Sequence, residues 1–265
     1  MGRIEYKYLV PNEMLTHIRD YIAKYVSLDK YAAMRQKKEY TVRSLYYDTL
    51  NFSFYHEKIE GIRKRKKIRI RGYNEFMGDE QVFLEIKRKN DAAITKTRAS
   101  VEYRDLSSLI ETGDVDKFIG SKCGNGLTKT NALNFLFHIN NLALMPKILI
   151  NYEREAYYYK FNQDLRITFD KKLRSKIRVS IDGLFKEVNF VRAFPNYFIL
   201  EIKTQLHFPS WLNYAIGSLE LRQRALSKYT ICLDSHKQKG LKIDRLEFAQ
   251  KKMASINDQN FLEVA

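Results

Sequence analysis

Apolar and basic residues alternate along several short segments of this chain. At 67–71 lysine or arginine takes every second position with isoleucine between, and 176–178 shows the same order. Because neighbouring side chains of a β-strand point to opposite faces of its sheet, these segments predict strands with one cationic face and one core face. The predicted cationic face holds Lys67, Arg69, Arg71, Lys87, Lys89, Arg154, Arg166, Lys176, Arg178 and Lys203. The predicted core face holds Ile68, Ile70, Ile86, Ile167, Ile177 and Ile202.

The same alternation, with β-branched and aromatic residues, predicts two series of strands. They lie at 3–10, 39–48, 63–73, 81–89 and 95–102, and at 147–159, 166–170, 177–181 and 197–204. Helical spacing predicts helices after Pro11, from an Asn131 cap, after Pro209 and near the C-terminus, whereas 121–130 is predicted to be a loop. No Pro/Gly/Ser-rich linker separates the two series. We therefore predict one α+β domain over 1–265, built around an antiparallel β-barrel, with 231–265 as a helical C-terminal extension.

A four-residue motif occurs once in each strand series. Leu84-Glu85-Ile86-Lys87 returns unchanged as Leu200-Glu201-Ile202-Lys203, and a basic alternating segment precedes each copy. In both copies a carboxylate lies two residues before a lysine, on the same strand face. The repeat indicates two related halves that close into a barrel.

The charge of the chain points to an anionic partner. Its 47 basic and 31 acidic residues give a formal net charge of +16. A positive potential of this kind attracts phosphate polymers, nucleotides or nucleic acid, and composition alone does not choose among them. Cations crowded on one face of a narrow barrel repel each other unless an anion compensates them, and linear polyphosphate or a nucleoside triphosphate suits such a surface.

Three carboxylates share strand faces with these cations. Glu5, Glu85 and Glu201 each precede a lysine by two positions, at Lys7, Lys87 and Lys203. A hard divalent metal that bridges glutamate and phosphate oxygens would relieve both charges. The alternative for Glu201 is an ion pair with Lys203 or a cation of a neighbouring strand, and the residues alone leave both open.

Cysteine usage and hydropathy indicate the compartment. Cys123 and Cys232 are too far apart in sequence to form a metal-spaced pair and predict no disulfide framework. No apolar run is long enough to span a bilayer, and the N-terminal residues do not form a signal peptide. We expect a cytoplasmic protein without a membrane span, and leave a membrane partner open.

Several motifs, taken in chain order, resemble a known family. They are Arg3-Ile-Glu5-Tyr-Lys7-Tyr8, Val42-Arg43-Ser-Leu-Tyr-Tyr-Asp48-Thr49, Arg69-Ile-Arg71-Gly-Tyr73, Leu84-Glu-Ile-Lys87, Lys96-Thr-Arg98, Tyr152-Glu-Arg154, Leu165-Arg166-Ile-Thr168, Leu200-Glu201-Ile-Lys203 and Ser227-Lys228-Tyr229. From residue 3 to about residue 230 the chain resembles the catalytic domain of vacuolar transporter chaperone (VTC) polyphosphate polymerases, which are triphosphate tunnel metalloenzymes. Their CYTH relatives begin with Glu-x-Glu-x-Lys. In this chain Arg3 takes the position of the first glutamate of that motif, which favours the polymerase branch.

The resemblance implies an eight-stranded antiparallel tunnel with flanking helices. It implies transfer of the γ-phosphate of ATP to a growing polyphosphate chain, with Mn²⁺ or Mg²⁺. It places on phosphates Lys7, Arg69, Arg71, Lys87, Lys96, Arg154, Arg166 and Lys228. It places Tyr152 and Ser227 beside them, and Glu201 on the metal. To these the strand pattern adds Lys203 as a substrate-binding residue and Glu5 and Glu85 as metal ligands.

Two other functions compete with a polyphosphate polymerase. The same tunnel can hydrolyse triphosphate or polyphosphate, and a non-catalytic protein can bind polyanions through its charge alone. The second alternative predicts steep salt dependence and no turnover. Sequence-specific nucleic-acid recognition is not expected, because the basic run at 63–67 is more typical of an exposed hairpin end.

Overall fold

One antiparallel sheet dominates the structure, a computed structural model that describes residues 4–91, 93–119, 126–205 and 207–241. Its strands are β1 (Ile4–Pro11), β2 (Val26–Leu28), β3 (Tyr40–Asp48), β4 (Lys64–Tyr73), β5 (Gln81–Asn90), β6 (Ala93–Glu102), β7 (Met145–Tyr159), β8 (Arg166–Ile177), β9 (Val191–Arg192) and β10 (Tyr197–Thr204). Eight of them follow the order β1-β10-β8-β7-β3-β4-β5-β6, with β2 on β7 and β9 on β8. The predicted α+β class and eight-stranded antiparallel order are confirmed. In the described strands no backbone pairing joins β1 to β6, so the sheet is a barrel only in a loose sense.

Helices flank the sheet on both of its faces. They are α1 (Leu15–Ala23), α2 (Lys30–Ala33), α3 (Ser53–Ile59), α4 (Tyr103–Thr112), α5 (Val115–Phe118), α6 (Gly126–Asn141), α7 (Ser210–Ser218) and α8 (Lys228–Lys237), with short 3₁₀ turns at Asn12–Met14 and Ile181–Gly183. Among the described residues no helix combines the length and apolar character needed to cross a bilayer.

Two apolar clusters lie between the sheet and the helices on its outer face. In the first, Ile68, Ile70 and Ile86 pack with residues of α4 and α6. In the second, Ile167 and Ile202 pack with residues of α1 and α7. These five isoleucines confirm the predicted core face, and burying each contributes roughly 1.5–3 kcal/mol.

A third apolar cluster lies on the opposite, inner face of the sheet. Tyr229, Cys232 and Leu233 of α8 pack there against sheet residues that include Ile150 and Ile199. The inner face is therefore divided. One part is filled by α8, and the other carries the charged side chains described below.

Lys176 and Arg178 do not lie on the cationic face, and this prediction is wrong. The β7–β8 register is irregular between Asn151 and Glu153, and Lys172 of β8 has a positive φ of 52°. Because side chains alternate with period two, such an irregularity exchanges the two faces of the strand beyond it. Leu173 and Ile177 consequently contact the inner cluster around α8. The predicted strand at 177–181 is also wrong, since β8 ends at Ile177.

Two further predictions differ from the structure. The helix expected from Asn131 begins at Gly126, so that 126–130 is helical and only 121–125 of the predicted loop remain, outside the described residues. Residues 231–237 of the predicted C-terminal extension lie in α8, and the domain bounds stay a prediction. Arg3, Cys123 and residues 242–265 lie outside the described residues.

Candidate functional site

The predicted cations come from many elements and meet at the inner face of the sheet. Their positions are Lys7 on β1, Arg69 and Arg71 on β4, Lys87 on β5, Lys96 on β6, Arg154 on β7, Arg166 on β8, Lys203 on β10 and Lys228 at the first position of α8. Buried or partly buried carboxylates link them into groups. We call this surface the cationic interior and describe it group by group.

Glu85 is the centre of the first group. Its side chain is 1% exposed, and its oxygens lie 2.8 Å from Arg69, 3.8 Å from Arg71, 2.6 Å from Lys96 and 3.3 Å from Arg98. Burial alone would raise the pKa of Glu85, but Arg69, Arg71 and Lys96 outweigh it and hold that pKa well below its ordinary value. Burial lowers the pKa of Lys96 to about 8 although Glu85 opposes this. Glu85 is thus an ionised anchor for four cations.

Asp170 and Glu201 form the centre of the second group. Arg154 donates two hydrogen bonds to Asp170, at 2.6 and 2.8 Å, and Lys228 Nζ lies 2.5 Å from the same carboxylate. Glu201 pairs with Lys203 at 2.7 Å and lies 3.8 Å from both Arg154 and Lys228. Burial would raise the pKa of Glu201, but Lys203 and the other nearby cations keep it well below its ordinary value.

Tyr152 lies under two of these cations. The Lys228 amine is 4.7 Å from the centre of its ring, and the Arg154 guanidinium is 5.3 Å from it. Both distances are in the range of a cation–π contact. The predicted neighbourhood of Tyr152, Arg154 and Lys228 is present in the structure.

Glu5 joins distant strands of the sheet. Its carboxylate lies 3.3 Å from Lys7, 3.1 Å from Lys87 and 3.8 Å from Lys203. Lys87 is on β5, whereas Glu5 is on β1 at the other side of the strand order. The Glu5–Lys87 pair therefore joins β1 directly to β5 and brings the two halves of the cationic interior together.

The N-terminus of α8 carries two predicted site residues. Ser227 is the N-cap, where its hydroxyl accepts a hydrogen bond from the Thr230 amide at 3.4 Å and one from the Lys67 amine at 2.7 Å. The Tyr229 hydroxyl donates to the buried Asp48 at 2.5 Å, which ties α8 to the end of β3. This attachment fixes Ser227 and Lys228 over the sheet.

Arg166 lies at the edge of the cationic interior. Its guanidinium is 3.3 Å from both the Asp29 carboxylate and the Tyr40 hydroxyl, and it lies 5.2 Å from the Tyr158 ring centre. Arg166 is also the register partner of Lys203. It extends the cationic interior toward the start of β8.

Strand reasoning missed three residues of this site. Asp170 and Asp29 hold Arg154 and Arg166, and Arg98 contacts Glu85. Asp170 follows Arg166 by four positions on one strand, so the period-two pattern contains the signal for it. Asp29 lies in a connection before α2, where no strand pattern operates.

The three predicted metal ligands do not form one group. Glu85 is surrounded by cations, and the described residues contain no set of three or more His, Cys, Asp or Glu side chains arranged for a metal. Glu5 and Glu201 are diagonal neighbours on paired strands, since Lys7 faces Glu201 and Glu5 faces Lys203. Mg²⁺ is commonly held by one or two carboxylates together with substrate phosphates, and this pair suits that chemistry.

Comparison with protein families now identifies the class. An antiparallel sheet curled around a cationic interior fits a tunnel-fold, phosphate-related enzyme. The sequence matches the VTC domain family over residues 2–237, and the chain belongs to this family. The resemblance inferred from the motifs is confirmed.

Comparisons with individual proteins add less. No curated protein matches the chain. A solved structure from Bacillus halodurans with the provisional name adenylate cyclase is 13% identical, covers 86% of this chain and 96% of its own, and has a TM-score of 0.48. A solved structure from Hippeastrum, provisionally named adenylyl cyclase and described as having a dominant triphosphatase activity, is 10% identical. It covers 88% of this chain and 96% of its own and has a TM-score of 0.48. Neither likeness bears on the activity of this chain.

Proposed function

We propose that this protein is a polyphosphate polymerase that transfers the γ-phosphoryl group of ATP to the end of an inorganic polyphosphate chain. The observation that carries the proposal is the surplus of cations over carboxylates inside the sheet. Arg69, Arg71, Lys96 and Arg98 share one carboxylate, Glu85. A bound chain of phosphates supplies the missing negative charge, with arginine forks and lysine point charges on successive phosphoryl groups.

The extent of the cationic surface favours a long anion. Beyond the carboxylate-held groups, basic side chains continue along Lys67, Lys58 and Lys89; Lys58 lies close enough to lower the pKa of Lys67, and Lys89 lies close enough to lower that of Lys58. A donor nucleotide together with an acceptor chain supplies more phosphates for these residues than a single triphosphate does.

The residues have separate tasks in the proposed reaction. Arg69, Arg71 and Arg154 are held by carboxylates before substrate arrives, so they stabilise the charge of the transferring phosphoryl group without reorganising. Lys228 and Ser227, fixed by α8, position the phosphates. Glu5 and Glu201 would hold Mn²⁺ or Mg²⁺, which supplies charge neutralisation between bridging phosphate oxygens. The terminal phosphate of the acceptor is itself the nucleophile.

The direct test is incubation of the purified protein with ATP and Mn²⁺. We expect long chains on a polyacrylamide gel and ADP in equal amount to the phosphate incorporated. The matched control is Lys176→Ala, because Lys176 has a similar charge but lies away from the cationic interior. Orthophosphate without chains would establish a triphosphatase instead. Salt-sensitive polyanion binding without any turnover would establish a non-catalytic binder and overturn the proposal.

A further inference from the structure

Lys67 is a partly buried lysine of the cationic interior with an unusual set of neighbours. It lies on β4, opposite Lys87 in the β4–β5 register. Its amine donates a hydrogen bond to Ser227 Oγ at 2.7 Å. In the described part of the chain it pairs with no carboxylate, whereas Lys87 pairs with Glu5 and Lys228 with Asp170.

Four cations act on Lys67. They are Lys7 on β1, Lys87 on β5, Arg69 on its own strand and Lys58 on α3; α8 contributes the uncharged Ser227, and Glu5 of β1 is already paired with Lys7 and Lys87. Burial, followed by repulsion from these four cations, lowers the pKa of Lys67 well below its ordinary value. An ammonium at this position is therefore unfavourable until negative charge enters.

We propose that Lys67 is a proton-accepting residue of the phosphate site, neutral while the site holds no anion and an ammonium once a triphosphate or polyphosphate anion is bound. The inference deepens the proposed function and rests on it for the identity of the anion. An anionic charge within about 4–6 Å favours the charged form of an amine. Binding of the anion and uptake of the proton therefore support each other.

Ser227 suits both charge states of its partner. A serine hydroxyl can donate to the lone pair of a neutral amine and can accept from an ammonium. Its hydroxyl hydrogen can turn while its oxygen continues to accept from the Thr230 amide. The N-cap thus keeps the Lys67 amine in place before and after the anion arrives.

A pH dependence of binding follows from the proposal. The anion raises the pKa of Lys67 in the complex above that of the free protein. Between these two pKa values binding takes up a proton, so the affinity falls as pH rises through this range. Below the pKa of the free protein the amine is already charged, and this contribution to the pH dependence disappears.

The experiment is NMR of the full chain labelled with ¹³C at the lysine ε carbon, whose chemical shift reports the charge of the amine. The Lys67 signal is assigned by its absence in Lys67→Met and in Lys67→Arg. We expect it to titrate at lower pH than the other lysine signals in the free protein. Saturating inorganic triphosphate, without metal, should move that titration to higher pH. The internal reference is Lys228, which should stay charged in both states, because Asp170 outweighs its burial and raises its pKa.

Two outcomes would overturn the inference. One is a Lys67 signal that titrates at the same pH as the ordinary lysines in the free protein, and the other is a Lys67 titration that does not change when triphosphate binds. Calorimetry supplies a second measurement. Lys67→Met should bind triphosphate about tenfold more weakly near neutral pH, with a flatter pH profile than the wild type. If triphosphate moves the Lys67 titration as expected but the protein does not turn over ATP, the proposed function is refuted and this inference stands. If the protein turns over ATP but the Lys67 titration does not move, this inference is refuted and the proposed function stands.

Discussion

The two copies of the Leu-Glu-Ile-Lys motif occupy different surroundings in the folded chain. Glu85 has Arg69 and Arg98 as its direct partners on both neighbouring strands. Glu201 has Lys7 on one side and Thr168 on the other. The same four residues therefore produce a carboxylate with a cation on both neighbouring strands in one half and a carboxylate with a cation on only one neighbouring strand in the other. Register partners, not the motif itself, decide the chemistry of each glutamate.

We propose that this difference separates an anchoring role for Glu85 from a metal-binding role for Glu201. Glu85 has both oxygens engaged by cations, so we expect it to order arginines. Glu201 lies diagonal to Glu5 on the paired strand, and Arg154 and Lys228 link it to Asp170. Substitution of Glu201 should accordingly reduce mainly turnover, whereas substitution of Glu85 should reduce mainly stability.

Glu201→Gln is expected to have the largest effect on catalysis. Loss of the charge removes a metal ligand and part of the preorganised field, so metal-dependent kcat should fall by about 10²–10³-fold. The measurement is ATP turnover across a Mn²⁺ titration. Binding of inorganic triphosphate without metal should survive. Unchanged metal-dependent turnover would remove Glu201 from the reaction.

Arg69→Ala should rank next. This arginine is fixed by Glu85 and by the Tyr46 hydroxyl at 2.8 Å before any substrate binds. Removing one preorganised charge should lower kcat/KM by about 10²-fold. Arg166→Ala, at the edge of the cationic interior, serves as a comparison and should also lower kcat/KM. Wild-type kinetics in both variants would contradict the assignment of the cationic interior as the site.

Glu85→Gln should affect stability more than chemistry. It leaves four cations without their shared carboxylate, and removing one partner of a buried pair costs roughly 3–5 kcal/mol in the free energy of unfolding. Two of those cations are well exposed, so the lower end is expected. Urea denaturation measures the loss, and inorganic triphosphate should restore much of it. A variant as stable as the wild type without anion would refute the anchoring role.

The same anchor predicts a pH dependence. Because the pKa of Glu85 is lower in the folded chain than in the unfolded one, its stabilisation is present above the ordinary glutamate pKa and is lost as pH falls below it. Wild-type stability should therefore drop more steeply in acid than that of Glu85→Gln. Parallel acid profiles would show that the carboxylate is not held ionised by its neighbours.

Lys176→Ala should have the smallest effect. Its side chain lies on the strand face away from the inner cluster, so turnover should be unchanged and stability should change by no more than about 0.5 kcal/mol. Steady-state kinetics and urea denaturation check both. A large loss of turnover would mean that the face exchange in β8 has been placed wrongly.

Alternation in the sequence was sufficient to place much of the site. It identified the inner positions of Arg69, Lys87 and Glu201, because period two holds along regular strands. It failed at Lys176, where a single irregularity in β8 exchanges the faces, since no residue pattern marks the change. Lys228 lies on a helix and came from the family resemblance alone.

Contacts between carboxylates and side chains of distant segments were beyond sequence reasoning for another reason. Asp29 reaches Arg166 from a connection, and Asp48 positions α8 from across the fold. Such contacts depend on tertiary placement of elements that are far apart in the chain. Local propensity and periodicity contain no information about them.

Salt should affect the contact between β1 and β5 as well as the affinity for an anion. Backbone ladders connect neighbouring strands from β1 round to β6, whereas the Glu5–Lys87 ion pair joins β1 directly to β5. Mobile ions weaken a partly exposed ion pair and leave backbone ladders intact. Under the proposed function, a phosphate that draws Lys87 away from Glu5 would also break this contact, so the separation of β1 and β5 would depend on whether the site is occupied.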